Sequence, residues 1–299
     1  DDLNMLKTEI AQAERPLLLL GGSGWSDESA AAITRFAEAN KIPVTTSFRR
    51  QDIVNNLSPV YAGDFGTSTA PSLYAHQRDA DLLVVIGARL GEMTTKTYTT
   101  MQSPNPETRL VHLYPEADEI GRVYSPDLGI AAAPVSVAAA LDGVDLGRAD
   151  TWNDWCEKLH ANYLTDTEAP NGGEWDLDMG VALAQLRDEL PDDVVVTLDA
   201  GNHTGWAQRF LRFGRPGRIV GSTCDAMGYS VPAAVAASHG ARAVLGRSAG
   251  KTDTRSQWIN RMRERRHPNV VAVALANKNA RIVWSLLSND QEYSRGHMV

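Results

Sequence analysis

The first half of the chain alternates short, wholly apolar runs with segments whose apolar residues recur every three or four positions. The runs Leu17–Leu20 and Leu82–Ile86 contain no polar residue, which is typical of strands buried on both faces of a parallel sheet. Further strands are predicted for the stretches IPVTTS, RLVHLYP and LGIAAA. The alternation predicts an α/β fold over residues 1–148, with helices on both faces of a parallel sheet.

A helix is predicted directly after the first of these strands. Ser26 is a suitable N-cap, and Asp27 and Glu28 would lie in the first turn, where the helix dipole favours anions. Ile33 and Phe36 fall on one apolar side of this helix, and we expect that side to pack on the sheet.

The order of predicted elements changes after residue 148. Two helices come first, one with Trp152, Trp155 and Leu159 on one side and one that ends at Pro191. A short strand, a polar turn, a helix, a second short strand and an alanine-rich helix follow. This order predicts a second, smaller α/β unit over residues 149–238.

Three glycine-containing motifs bear on nucleotide binding. The motif that begins at Gly22 has Asp27 where the dinucleotide fingerprint needs its third glycine, so we interpret it as a strand-to-helix turn that requires positive φ. The stretch GARLGE ends a strand at the carboxyl edge of the sheet, where ligands bind in such folds. The stretch GRSAGKT has three residues between its glycines, whereas a P-loop has four, which excludes that motif.

The charge of the chain changes sign near residue 239. From His239 to the end there are 11 Lys/Arg and 4 Asp/Glu, a balance of +7, although the whole 299-residue chain carries −8. Such a basic segment indicates a separate origin or contact with nucleic acid. No apolar run is long enough to span a membrane, and the two cysteines, Cys156 and Cys224, fit a reducing environment. A cytoplasmic location is therefore expected.

Several motifs, taken in order, resemble those of one family. The stretches DAGNHTGWAQRF and AMGYSVPAAVAA, preceded by PLLLLGGSG, GARLGE and RLVHLYPEADEIGRVY, are similar to thiamine diphosphate enzymes of the acetolactate synthase-like group. The resemblance covers residues 1–238. It implies a central domain at 1–148 and a truncated thiamine diphosphate-binding domain at 149–238, from a parent family that is homo-oligomeric and acts on 2-keto acids.

The resemblance also implies cofactor contacts. Asn202 and His203 match the turn whose polar groups meet the cofactor diphosphate. Met227 matches the bulky residue that bends the cofactor, and Gly228 keeps the backbone close to its rings. Two plainer interpretations stay open: His203 as a helix cap or solvated turn residue, and Met227 as a core residue.

The same family holds Mg²⁺ through a Gly-Asp-Gly turn and a later Asn, and it uses a Glu from a preceding pyrimidine domain. No Gly-Asp-Gly occurs in these 299 residues. Mg²⁺ prefers octahedral oxygen ligands, and the resemblance leaves the chain without them. We therefore expect no catalytic and no metal-binding residue here, and an inactive remnant of the parent enzyme in which binding of thiamine diphosphate and Mg²⁺ is lost.

The last 61 residues, 239–299, resemble the carboxyl end of bacterial insertion-sequence transposases of the DEDD/serine group. The stretches HGARAVL, GKTD and RRHPNVVAVALANKNARIVW carry the resemblance. It implies a short, basic, helical tail joined to the enzyme remnant, either because a mobile element interrupted the reading frame or because two genes are fused. Two alternatives remain: a nucleic-acid-binding protein that makes weak contacts through residues 239–299, and a central domain that acts as a small-molecule or subunit-binding module for a flavin or nucleotide.

Overall fold

The computed structural model describes residues 1–170, 178–190, 194–222, 226–237, 248, 250–251, 253–266 and 270–271. The chain divides into two compact units. The first contains Asp1–Val194 and Asn202–Ile219, and the second contains Val195–Gly201 and Val220–Val299. Each unit is described by itself.

The first unit is built on a six-stranded sheet in the order β3-β2-β1-β4-β5-β6, and each pair of neighbouring strands is parallel. The strands are β1 Pro16–Leu20, β2 Val44–Ser47, β3 Tyr61–Phe65, β4 Leu82–Ile86, β5 Arg109–Tyr114 and β6 Leu128–Ala131. Every residue of β1 and β4 is buried, as their continuous apolar sequences predict. The predicted parallel sheet is confirmed.

Helices flank both faces of this sheet, as predicted. They are α1 Asp2–Ala11, α2 Asp27–Asn40, α3 Pro71–Gln77, α4 Pro134–Leu141, α5 Ala149–Asp166, α6 Met179–Glu189 and α7 His203–Phe210. Successive side chains of a strand point to opposite faces, and β1 shows the result. Leu18 belongs to the same apolar cluster as Phe36 of α2, whereas Leu19 belongs to the cluster of Trp155 in α5.

Local sequence explains the start of α2. Ser26 is its N-cap and accepts a hydrogen bond from the Ser29 amide at 3.1 Å, while the Ser29 hydroxyl accepts one from the Ser26 amide at 2.8 Å. This reciprocal pair satisfies two amides that the helix itself leaves without partners. The predicted cap is confirmed.

The helix α5 packs within the first unit. Trp152 donates its indole N–H to the Ala13 carbonyl at 3.0 Å, and Trp155 donates to the Pro16 carbonyl at 2.9 Å. Both indoles are buried, as are the apolar positions that the sequence placed on one side of this helix. The compact first unit thus extends past residue 148, and the division into a central and a cofactor domain at that position stays a prediction from sequence.

The second unit contains β7 Val196–Leu198, the helix α8 Ser230–Ala237 and the last two residues of β8 Ile219–Gly221, the strand that pairs with β7. In the basic tail, α9 spans Thr254–Arg263 and begins at Asp253, whose carboxylate accepts from the Ser256 amide at 3.0 Å. Beyond residue 266, the predicted helical tail lies outside the described residues apart from positions 270–271. Within the described part of the chain, no helix combines the length and the apolar character that crossing a membrane requires.

Candidate functional site

A turn in the second unit contains Met227 and Gly228, two of the four predicted cofactor contacts. The carboxylate of Asp199 holds the end of this turn by hydrogen bonds. Asp199 follows β7 and accepts hydrogen bonds from the Tyr229 amide at 3.3 Å and the Ser230 amide at 3.2 Å. The Ser230 hydroxyl also donates to it, at 2.9 Å. A single carboxylate therefore binds the start of α8, where the helix dipole favours negative charge.

These contacts change the acidity of Asp199. Desolvation alone would raise its pKa, but the hydrogen bonds from Ser230, Ala200 and Tyr229 outweigh it and lower the pKa to about 2. Hydrogen bonds to the charged form stabilise that form. Asp199 is therefore an anion at neutral pH, and its oxygens are already engaged.

Met227 and Gly228 lie at the tip of this turn. The side chain of Met227 is 85% exposed, so Met227 is not a core residue. Gly228 has a φ of +79°, and no heavy atom lies within 4 Å of the position that a Cβ would take there. The positive φ therefore explains why a glycine occupies this position, whereas close packing around it does not.

Asn202 and His203 lie in the first unit, at the start of α7. Asn202 is the N-cap residue, but its side chain makes no capping hydrogen bond, and both side chains are exposed. His203 therefore does not cap the helix. The helix itself is fixed by Gln208, whose side-chain oxygen accepts from the Arg49 amide at 2.5 Å and from Gln51 at 2.9 Å.

The described residues contain no cluster of acidic, histidine and cysteine side chains around a possible metal position. Nowhere in the described ranges do three or more His, Cys, Asp or Glu side chains come together in a way that could hold a metal ion. Asp199 is already hydrogen-bonded to the start of α8. At a diphosphate, Mg²⁺ usually takes one or two carboxylates together with the phosphate oxygens and water, so the loss of metal and cofactor binding stays a prediction from the sequence.

Glycines let the backbone pack closely where β1 and β4 end, at the carboxyl edge of the large sheet. A Cβ on Gly22, where φ is +71°, would lie 1.8 Å from the Gly87 carbonyl oxygen, and one on Gly87 would lie 2.5 Å from Pro134. Trp25 donates its indole N–H to the Gly21 carbonyl at 2.8 Å. The first glycine motif is therefore a strand-to-helix turn that needs positive φ, as the sequence predicted.

One buried acid, near the carboxyl end of the edge strand β3, was not found by sequence reasoning. Asp64, in β3, accepts from the Ser68 hydroxyl at 2.6 Å and from Thr69 at 3.3 Å. Burial raises its pKa to about 6, although these hydrogen bonds oppose the shift. The only signal in the sequence is an acidic residue between Gly63 and Phe65, beside a short run of hydroxyl residues.

Comparison with known families finds two matches. Residues 3–141 match the thiamine pyrophosphate enzyme central domain, and residues 199–283 match the C-terminal TPP binding domain of the same enzymes. The second match continues past residue 238, into the segment that resembles a transposase.

Comparison with curated proteins finds acetolactate synthases. The isozyme 2 large subunit of Escherichia coli (strain K12) is 25% identical over 237 residues, which is 79% of this chain and 42% of that protein. The large subunit of Parasynechococcus marenigrum (strain WH8102) is 29% identical over 76% of this chain and 37% of its own length. The chain thus spans less than half of these relatives.

A different similarity concerns a short segment. A protein of Pseudomonas aeruginosa named "Probable family 20 transposase" is 60% identical over 58 residues, which is 19% of this chain and 17% of that protein. An identity this high over a short stretch stands apart from the 25–29% found for the synthases.

Proposed function

We propose, from the premise that this chain carries acetolactate synthase-like thiamine pyrophosphate enzyme domains, that it derives from an enzyme acting on 2-keto acids and has lost that activity. In this proposal residues 1–148 are the central domain, 149–238 are a truncated cofactor domain, and 239–299 come from a transposase. The parent chemistry would be attack of the cofactor carbanion on a 2-keto acid, followed by decarboxylation and transfer.

The observation that carries the proposal is the length of the two similar segments, one to acetolactate synthases and one to a transposase. The synthase match of 237 residues is close in length to residues 1–238, and the transposase match of 58 residues is close to the 61 residues that follow. Their shares of 79% and 19% nearly fill the chain. The change of charge near residue 239 supports a junction at that point.

The loss of activity is supported by the second unit. Its Asp199 is engaged by the start of α8, and the 299-residue sequence contains no Gly-Asp-Gly turn. A thiamine enzyme needs Mg²⁺ to hold the diphosphate, and Mg²⁺ takes one or two side-chain oxygens besides those of the phosphates; the hydrogen bonds to Ser230 compete for the Asp199 carboxylate.

Calorimetric titration of the full chain with thiamine diphosphate and Mg²⁺ tests the proposal. We expect no saturable heat, and no acetolactate from pyruvate, whereas an acetolactate synthase measured beside it gives both. If binding at micromolar concentrations were found and the Met227→Ala substitution weakened it, the proposed loss of cofactor binding would be wrong.

The basic tail favours a second function, nucleic-acid binding. Three exposed arginines, Arg261, Arg265 and Arg266, lie in or just after α9. Each phosphate contact adds about 0.9 to the slope of log affinity against log salt for duplex DNA. Replacing all three by Gln should therefore lower that slope by two to three units (roughly), measured by fluorescence anisotropy. Binding that is absent at low salt would exclude this function.

The central domain favours a third function, binding of a flavin or nucleotide. The strand order β3-β2-β1-β4-β5-β6 reverses its direction of progression between β1 and β4, and folds of this kind bind dinucleotides at the carboxyl ends of the strands at that point. The arginine Arg89, 3.1 Å from the Tyr114 hydroxyl, supplies a cation near that edge. Visible absorbance and mass spectrometry of the purified, denatured protein would identify such a ligand, and a colourless, nucleotide-free protein that binds neither class would exclude it.

A further inference from the structure

Two loops of the first unit lie against each other. The 66–69 loop is part of the connection from β3 to α3, and the 93–98 turn follows β4 further along the chain. The Thr67 amide donates to the Met93 carbonyl at 3.0 Å. The two backbones are so close here that a Cβ on Gly66 would lie 2.6 Å from the same carbonyl oxygen. A movement of the 66–69 loop therefore disturbs the 93–98 turn.

Lys96 provides a second connection between these loops. Its ammonium group donates to the Thr69 carbonyl at 3.1 Å and lies 4.5 Å from the centre of the Tyr74 ring in α3. An ammonium group above an aromatic ring is attracted by the negative face of that ring. Lys96 thus anchors the 93–98 turn to the 66–69 loop and to α3.

The backbone of the 93–98 turn needs such anchors. Lys96, Thr97 and Tyr98 have φ values of +49°, +60° and +61°, a conformation that residues other than glycine rarely adopt. Strained backbone of this kind persists only where the surrounding structure holds it in place. Loss of the contacts with the 66–69 loop would therefore favour release of the turn.

A buried acid holds the 66–69 loop in turn. Oδ2 of Asp64, in β3, accepts from the Ser68 hydroxyl at 2.6 Å and from the Thr69 hydroxyl at 3.3 Å. Asp64 is 6% exposed and forms no ion pair with any residue that the structure describes. A buried carboxylate without a cation is costly, so its charged form gains from any movement of this loop that admits water.

The titratable groups around Asp64 do not offset this cost. Asp166 of α5 adds a negative charge, and Arg209 of α7 pairs with that residue at 2.9 Å. Burial raises the pKa of Tyr61, on the same strand, and raises the pKa of Tyr163 of α5 to about 12, so both phenols stay neutral. Ionised Asp64 therefore meets neutral hydroxyl groups and one further carboxylate.

The acidity of Asp64 agrees with this arrangement. Burial raises its pKa to about 6, although the hydrogen bonds from Ser68 and Thr69 oppose the rise. From α3, the neutral amide of Gln77 donates to the Asp64 backbone carbonyl at 2.9 Å and adds no charge. The contribution of the protonated carboxyl to the closed arrangement is fully present below pH 3.8 and is lost as the pH rises through about 6.

We propose that Asp64 is a pH-sensitive switch: when its carboxyl group loses its proton to water, the 66–69 loop opens and releases the 93–98 turn. Tyr98 of this turn lines a cleft of about 310 Å³ together with Phe65 and Leu83. Release of the turn at neutral pH therefore changes the width of that cleft. The switch involves no other covalent step, and it operates whether or not the chain binds thiamine diphosphate.

Hydrogen exchange of the full chain, followed by mass spectrometry from about pH 5 to 7.5, measures the opening. Exchange rates of peptides from the two loops and from β4 are corrected for the pH dependence of exchange in an unstructured chain. We expect the opening equilibrium of both loops to rise about tenfold over this range, since the pKa of Asp64 is 3.8 when hydrated and about 6 when buried. The fully buried strand β4 should stay protected throughout.

Asp64→Asn keeps the size of the side chain and removes its ionisation. We expect the opening of both loops in this variant to be independent of pH. Asp118→Asn, at an exposed position of the same unit, is the matched control and should respond to pH as the original protein does.

Lys96→Met tests the connection between the loops and leaves Asp64 in place. We expect the 93–98 turn of this variant to exchange rapidly already at the lowest pH, whereas the 66–69 loop keeps its response to pH. Lys96→Arg, which retains a cation and a donor, should restore protection of the turn. The matched control is Lys158→Met, which removes an ammonium group above the Trp155 ring in α5 and should leave both loops unchanged.

Four results would each overturn the proposal. They are corrected exchange of the 93–98 turn that does not depend on pH, the same pH response in Asp64→Asn as in the original protein, and equal exchange of the turn in Lys96→Met and Lys158→Met. The fourth is a loss of protection in β4 that runs in step with the loops, because the motion would then be unfolding of the whole unit. The two lysine variants test the connection even if Asp64→Asn does not fold.

Discussion

The buried carboxyl of Asp64 gives a prediction that can be calculated. Replacement by Asn keeps the size of the side chain and removes its ionisation. Burial is the main cause of its raised pKa, the hydrogen bonds from Ser68 and Thr69 oppose the rise, and the negative charge of Asp166 adds to it. The protonated form is therefore favoured in the folded protein more than in the unfolded chain.

The size of the effect follows from the two pKa values. The pKa rises from 3.8 to about 6, and one unit corresponds to about 1.4 kcal/mol, so ionising Asp64 costs the folded state about 3 kcal/mol. Between these values the folded protein binds more protons than the unfolded chain. The stabilisation is fully present below pH 3.8 and is lost as the pH rises through about 6.

Urea unfolding followed by circular dichroism measures this contribution. The free energy of unfolding is determined at several pH values from about 4.5 to 7.5 for the original protein and for Asp64→Asn. We expect the difference between the two to change by about 2 kcal/mol across this range, in favour of the variant as the pH rises. The pKa of Asp52 is also raised by burial, but Asp52 is present in both proteins and cancels in the difference.

Asp118→Asn, at an exposed position of the same unit, is the matched control and should run parallel to the original protein. A difference between the original protein and Asp64→Asn that stays constant over the whole pH range would refute the reasoning. It would mean that Asp64 is as well solvated in the folded protein as in the unfolded chain.

Three further predictions concern local structure. Ser26→Ala removes the cap of α2 and should lower the free energy of unfolding by about 1 kcal/mol in urea titrations; no loss would contradict the capping role. Gly22→Ala should lower the unfolding temperature sharply or prevent folding, because its Cβ would meet the Gly87 carbonyl at 1.8 Å, while Gly91→Ala, with open space around it, should have a small effect. Met227→Ala, at an 85% exposed side chain, should change stability by less than about 0.5 kcal/mol in calorimetry, and a larger loss would show that Met227 has a packing role.

The large sheet could be predicted from the sequence where burial leaves a clear pattern. The strand Leu82–Ile86 is covered on both faces, so every position is apolar. The strand β3 could not be predicted in the same way, because Gly63 and Asp64 interrupt its apolar pattern. Its stability depends on partners from elsewhere in the chain, such as Gln77 of α3, which donates to the Asp64 carbonyl.

The candidate site was predictable only in part. The stretch around Met227 is recognisable by its resemblance to a family, and the structure places it in a turn. The role of Asp199 in holding that turn could not be predicted from the sequence, because its hydrogen-bond partner Ser230 is 31 positions away.

The two indole hydrogen bonds of α5 bear on how this protein can be divided experimentally. Trp152 and Trp155 donate to the carbonyls of Ala13 and Pro16, each 139 positions earlier in the chain and close to the start of β1. A piece that stopped at residue 148 would leave those carbonyls and the adjoining apolar surface open to water. Limited proteolysis should therefore yield a resistant core that retains α5, with cleavage beyond Asp166, and isolated versions of the large sheet will need that helix in order to fold.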